Sequence, residues 1–419
     1  MTKTLSSITR CAIYTLLIFT PLARGSVQGW AVTAIHMITL IALTAFLLEK
    51  NLSGNWKWIK TPLDKPIICL LLLCLLSTLF SEHRRTSFWS FILLLNYLTL
   101  FYLVIHTFRS RSRIRQLAYV IIGIAVFLSV FGMIKQSGAN PFPWWDYTDI
   151  NLNPDLAAAS STYGNPNHYA GFLVMAIPLA LGLLTIGIRG ASFFLMFSLA
   201  LILLSALILS GSRGGWGSAF VGMVVIGTIV LTSPPYRQTK YFYLLFAGMT
   251  ILLLVALSST SVVLDLRSFG SLEGDPSLLS RASVWKNTFK MITDYPLLGS
   301  GPGTFALIFT QYQPVGTGLP VRYYYAHNDY LQFTAEVGLL LSVIIGWIIF
   351  SFFKTGFRKL KNHSRLINGI TIGGLGAISA ILVFSIVDFN LHIPANALLF
   401  TVIAAIVVTP MSTENARNR

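Results

Sequence analysis

The sequence predicts an all-α, polytopic membrane protein. Three observations predict it. Mean hydropathy is +0.70. Hydrophobic residues fill 54% of the 419 positions and charged residues only 11%, against about 25% charged in a soluble domain. The apolar runs are long, continuous and rich in Leu, Ile, Phe and Ala, which is the pattern of bilayer-crossing helices and not of barrel strands.

Twelve runs meet that pattern, at 8–23, 29–48, 65–80, 87–107, 116–135, 168–187, 191–210, 214–233, 241–258, 329–352, 367–388 and 393–410. The first and third are short for a hydrocarbon thickness of about 30 Å, which predicts tilted or partly interfacial helices. The first follows Lys3 and Arg10 and resembles a signal peptide. A second run follows closely, however, and Pro21-Leu22-Ala23-Arg24 is a poor cleavage site, so it reads as a retained helix. The organisation is nine helices over 1–258 with a short outer segment at 136–167, a loop domain at 259–328, three helices over 329–410 and a tail at 411–419.

Charge sets the orientation. With the N-terminus in the cytoplasm, the inner segments hold Lys3, Arg10, Lys50, Lys57, Lys60, Lys65, Arg109, Arg111, Arg113, Arg115, Arg189, Arg237, Lys240, Lys354, Arg358, Lys359, Lys361, Arg365, Arg417 and Arg419. These are two thirds of the 30 basic residues, opposed only by Glu49, Asp64 and Glu414. The outer segments are close to neutral. The net charge of +16 is thus an orientation signal, and nucleic acid is not needed to explain it. Both termini fall inside, and both long segments outside. Cys11, Cys69 and Cys74 all lie in apolar runs and read as small packing residues, with no disulfide framework or metal spacing.

The outer segments carry the chemistry. In the shorter, Pro141-Phe142-Pro143-Trp144-Trp145 suits the membrane interface, and Asn165-Pro166-Asn167 is turn chemistry. In the longer, Asp275-Pro276 predicts a helix start, and the helix should run from 276 to 293. Leu278, Arg281, Trp285, Thr288 and Ile292 share one face of it, and Asp294-Tyr295-Pro296 stops it. The turn Gly299-Ser300-Gly301-Pro302-Gly303 follows.

Charges retained near lipid are candidates for function. Arg213 lies in the tight outer turn Ser210-Gly211-Ser212-Arg213-Gly214-Gly215-Trp216, where a guanidinium can grip a phosphate through two bonds or simply snorkel from a helix end. Arg281 sits beside Trp285 and Thr288, or is an ordinary solvated helix residue. His327 stands at the mouth of the tenth run among Tyr325, Asn328, Asp329, Tyr330 and Gln332. An imidazole there is a ready general base, although a lone histidine is more often structural. Asp388, with Asn390 and His392, is either a buried acid or a helix-end cap. The sequence has no Asp-x-Asp pair, Walker loop, His-Glu-x-x-His or Gly-x-Ser-x-Gly. Cytosolic nucleotide chemistry, a metal site and a cofactor are therefore not expected.

Four motifs together resemble the O-antigen ligase and polymerase superfamily of bacterial inner-membrane enzymes. They are Gly164-Asn165-Pro166-Asn167-His168-Tyr169-Ala170-Gly171, Ser210 to Gly215, Arg281-Ala282-Ser283-Val284-Trp285 with Asp294 to Gly301, and Ala326-His327-Asn328-Asp329-Tyr330-Leu331-Gln332 with Glu336-Val337-Gly338. The segment Asp388-Phe389-Asn390-Leu391-His392-Ile393-Pro394 is also similar. The resemblance implies an inverting, metal-independent transfer of a glycan from undecaprenyl diphosphate to a hydroxyl of the lipid A-core sugar on the periplasmic face. It implies His327 as the catalytic histidine and Arg213 and Arg281 as diphosphate ligands, with Asn165, Asn167, Trp285, Tyr325, Asn328, Asp329 and Tyr330 expected to bind substrate. A glycan polymerase and a protein O-oligosaccharyltransferase share this pattern. A transporter, the competing class, should show broken helices in two related halves, and the sequence has no such repeat.

Overall fold

The computed structural model describes residues 1–142, 158–233, 246, 248–250, 276–313, 322–361 and 364–410. Nearly all of the ninth run, 241–258, lies outside the described residues, as do Trp144, Trp145, Asp275 and the tail at 411–419.

The described chain is helical, with no strand among the described residues. The helices are α1 Thr2–Leu22, α2 Gly29–Ser53, α3 Asp64–Leu79, α4 Arg84–Thr107 and α5 Arg111–Gln136. They continue with α6 Pro166–Leu184, α7 Ala191–Leu209, α8 Arg213–Thr232 and α9 Pro276–Asp294. The last are α10 Asp329–Val337, α11 Leu340–Lys359, α12 Arg365–Phe384 and α13 Pro394–Val408. Among the described residues, nine are long and apolar enough to cross a membrane: α1, α2, α4 to α8, α11 and α12. At 16 and 15 residues, α3 and α13 are shorter.

Three sequence expectations change. The first helix is not short: it begins at Thr2 and has 21 residues, because Thr2 to Ser7 continue its hydrogen bonding. The tenth run is not one helix. It breaks at Gly338, whose φ of 95° is left-handed. A side chain there would collide with the Leu297 carbonyl, and Leu339 N–H leaves the helix to bond the Pro296 carbonyl at 2.9 Å. A short polar helix, α10, is thereby separated from an apolar one, α11. The eleventh run ends at Phe384 and not at 388, because the N–H groups of Ser385, Ile386 and Val387 fold back onto the carbonyls of Ile381, Val383 and Phe384. Asp388 therefore sits in the connection beyond the helix.

Burial separates centre from periphery. The apolar windows of α6 and α12 are 89% and 83% buried, and those of α2 and α11 only 28%. Leu40 and Ile41 on α2, and Val343 and Phe350 on α11, are exposed, as lipid-facing side chains should be. Along α6 and α12, Gly182 meets the Gly369 carbonyl and Gly373 so closely that neither helix has room for a side chain. Small residues permit this backbone approach, which compensates for the weak apolar driving force between helices in lipid.

Loop contacts sort the helix ends. At one end, Thr162 Oγ1 donates to the Pro21 carbonyl at 2.7 Å. Ala159 N–H donates to Leu209 at 2.9 Å and Glu82 N–H to Ser300 at 3.1 Å. At the other end, Ile59 N–H donates to His106 Nε2 at 3.2 Å. There too, Lys359 Nζ donates to the carbonyls of Ile406, Val407 and Thr409, satisfying the C-terminus of α13. The first end carries His327 and the Asp388 connection.

Candidate active site

Three of the helices that start at this end are capped by a side chain. Asn165 Oδ1 accepts the N–H groups of Asn167 and His168, with Pro166 opening α6. Ser212 caps α8 through Gly215 N–H, which places Arg213 as its first residue. Asn328 Oδ1 accepts Leu331 N–H at 3.0 Å and caps α10. Such caps stabilise by about 1 kcal/mol each and direct the preceding residue out of the helix.

That residue is His327. Its φ of 51° is left-handed, a conformation that costs a non-glycine residue about 1–3 kcal/mol. The cost is met by bonds on the residue before it. The Ala326 carbonyl accepts Trp285 Nε1 at 2.9 Å, and Ala326 N–H donates to Gln332 Oε1 at 2.9 Å. Gln332 Nε2 in turn donates to Glu336 Oε1 at 3.3 Å. Glu336 also accepts the N–H groups of Gly303 at 2.8 Å and Phe305 at 3.2 Å. Burial raises the Glu336 carboxyl above its ordinary value even though His392 and these three donors pull it down. Trp285 thus grips the backbone of the histidine loop through its indole nitrogen.

The His327 ring faces Asp388. Nδ1 lies 3.5 Å from Asp388 Oδ1, with the imidazole 35% exposed and the carboxylate 2%. Nδ1 is buried and makes no hydrogen bond by geometry, so the contact becomes an ion pair only when the imidazole carries a proton on both nitrogens; Nε2 is left for the open side of the ring. Asp388 Oδ1 is fixed by Phe389 N–H at 2.8 Å. Burial pushes the Asp388 carboxyl up; His327 beside it, together with the charges of His168 and Arg281, outweighs burial and holds it below the ordinary range. Phe389 joins the rings of this region. Its ring stacks on Tyr325 with centroids 4.0 Å apart and meets the edges of His168 and His327, both at 4.9 Å.

The remaining expected site residues converge unequally. Arg281 is one turn from Trp285 on α9, and its charge reaches Asp388. Arg213 is half-buried, and the next residue, Gly214, packs against Phe384 and Val387 just ahead of Asp388. Asn165 and Asn167 flank the start of α6 next to His168, and Asn165 and Asn328 use their oxygens as caps. Tyr330 donates to the Leu382 carbonyl at 2.8 Å. Asp329 is 1% exposed and its oxygens are taken by neighbours: Ser385 Oγ at 2.7 Å, Leu391 N–H at 3.0 Å and His392 Nδ1 at 2.6 Å. His168, Gln332 and Glu336 stand within the sequence motifs but receive no role of their own from sequence. Their signal was polarity at a helix start or within an amphipathic helix, which internal capping produces equally well.

A cavity of about 550 Å³ opens beside this end. Its walls are largely apolar, from Leu63 just before α3 and Ile67 on it past Tyr97 and Phe101 on α4 and Ile345 and Phe352 on α11. Its polar part is lined by Tyr325, Asp329, Gln332, Glu336 and His392. His327, Arg213 and Arg281 do not line it. It meets their cluster at Tyr325, whose ring lies on Phe389.

Fold and site together define a polytopic helical membrane protein with a histidine–carboxylate pair and two arginines gathered at one end of the bundle. A family model described as O-antigen ligase matches residues 197–346, from within α7 to within α11. This match supports the resemblance to the O-antigen ligase and polymerase superfamily, a group of glycosyltransferase-like enzymes, over about a third of the chain. The matched segment contains Arg213, Arg281 and His327, whereas His168 and Asp388 lie outside it. No curated protein matches the chain.

Proposed function

We propose that the protein transfers a glycan from undecaprenyl diphosphate to an acceptor hydroxyl, of the lipid A-core sugar, at the periplasmic face of the inner membrane. The observation that carries this reading is the His327–Asp388 pair, with Arg281 close enough to act on the same carboxylate and Arg213 at the adjoining helix start. His327 Nε2 takes the proton of the acceptor hydroxyl as its oxygen attacks the anomeric carbon. The bond from that carbon to the diphosphate oxygen breaks, with inversion, and polyprenyl diphosphate leaves. Asp388 offsets the charge gained by the imidazole. Arg213 and Arg281 offset charge developing on the leaving diphosphate. The cavity supports a lipid carrier, since its walls along α3, α4 and α11 are largely apolar. The cationic cytoplasmic segments support the periplasmic assignment of the opposite end.

The test is transfer by the purified protein in vesicles holding polyprenyl diphosphate-linked glycan. Lipid A-core, a growing polysaccharide and an acceptor protein are offered separately. Product on lipid A-core alone supports the ligase reading; product on the polysaccharide or protein replaces the acceptor. Unchanged transfer by H327A overturns the mechanism.

A further inference from the structure

The Asp388 pair is not the only imidazole–carboxylate contact at this end. Asp329 follows His327 by two residues, and His392 follows Asp388 by four. They meet at 2.6 Å through Asp329 Oδ1 and His392 Nδ1, with side chains 1% and 14% exposed. The same residue makes three more ties. Asp329 N–H donates to the Ser385 carbonyl at 2.8 Å, while Ser385 Oγ and Leu391 N–H donate to Asp329 Oδ2.

The placement of these ties matters. Asp388 lies midway between Ser385 and Leu391, so Asp329 holds the Asp388 connection on both sides. His327, two residues before Asp329, is thereby held at a set distance from Asp388. The His392 ring is itself wedged, stacked on Phe333 with centroids 4.3 Å apart and meeting Tyr325 edge-on at 5.9 Å. Three donors already engage the two oxygens of Asp329, and it is 1% exposed, which leaves it poorly suited to grip a sugar.

We infer that Asp329 and His392 are a positioning pair that sets the His327–Asp388 separation. Neither contacts the reacting atoms. This assignment moves Asp329 from substrate binding to support, and its activity arm rests on the transferase reading above. The physical reason is that a general base works only at the right geometry: displacement by 1 Å costs about a hundredfold in rate. The His327–Asp388 contact, already long, has no direct bond of its own to resist drift.

The test compares H392N with H392L in the full-length protein. An asparagine amide can occupy the place of His392 Nδ1 and still donate to Asp329; leucine cannot. With polyprenyl diphosphate-linked glycan as donor, H392L is expected to lower kcat about a hundredfold with KM changed by less than about twofold. H392N is expected to recover most of that loss. A second arm needs no activity. Carbethoxylation of His327 by diethyl pyrocarbonate, followed by peptide mass spectrometry, should change rate in H392L and stay as in the unsubstituted protein in H392N. If H392L fails to accumulate, S385A removes one bond of the same knot and should show the same split at smaller size. A KM rise at unchanged kcat, or H392N as impaired as H392L, overturns the proposal. Unaltered His327 labelling in H392L overturns it too. If the unsubstituted protein transfers no glycan, the transferase reading fails, while the labelling arm still decides the positioning role.

Discussion

Two histidine–carboxylate pairs sit within one patch of this molecule and differ in almost every physical respect. The Asp329–His392 pair is short, at 2.6 Å, and nearly enclosed, and its carboxylate already accepts three hydrogen bonds. The His327–Asp388 pair is long, at 3.5 Å, with a third of the imidazole exposed. A tight, enclosed pair offers little to a ligand and contributes through geometry. A loose, half-open pair keeps one ring nitrogen available to a ligand. On the roles proposed above, polarity and sequence proximity do not separate reactive from supporting groups, whereas the number of hydrogen bonds already made does.

The comparison can be broken most directly at the loose pair. H327A should lower transfer by about 10²–10⁴-fold, the range of a lost general base, with little change in thermal midpoint in detergent. R281A should cost about 10²–10³-fold, as expected for loss of charge stabilisation at the leaving group, measured as kcat with the same donor. D388N should lose less than the roughly 10⁴-fold seen where a carboxylate is tightly bonded to its histidine, because the 3.5 Å contact orients less firmly.

At the tight pair the larger effect should be on stability. D329A leaves His392 and two donors without their acceptor. It should destabilise by about 3–5 kcal/mol, the range for removing one partner of a buried pair, read as a fall in thermal midpoint. A loss in D388A as large as that in D329A would erase the distinction between the pairs.

The smallest effect concerns pH. Burial lowers the His392 value, but Asp329, by hydrogen bond and charge, and Glu336, by charge, raise it above the ordinary 6.5. Its contribution to stability is therefore complete below 6.5 and is lost as pH rises through the raised folded value. Thermal midpoints should fall over that window and flatten in H392N. Glu336, also raised, adds its own decline from pH 4.5 upward, which E336Q removes. Asp388 has the opposite sign. Its lowered value contributes stability above 3.8 that is lost as pH falls through the folded value.

Much of the architecture was legible in the chain because bilayer thickness and backbone satisfaction leave so few solutions. Run length and composition predicted a bundle of membrane helices, the Lys and Arg distribution predicted their direction, and the runs placed at 168, 214 and 329 start within a few residues of α6, α8 and α10. The face bearing Arg281 and Trp285 followed from spacing alone. Tertiary structure decided what those residues touch. Gly338 breaks a continuous apolar pattern because the Leu297 carbonyl occupies the space of a side chain, which no periodicity encodes. Asp329 reads as a ligand in sequence and is a tie in the fold, since Ser385, Leu391 and His392 come from more than fifty residues away. His327 and Asp388 meet only because α10 packs against the end of α12. Local propensity is written along the chain, whereas saturation of a buried polar group depends on partners that only packing brings near.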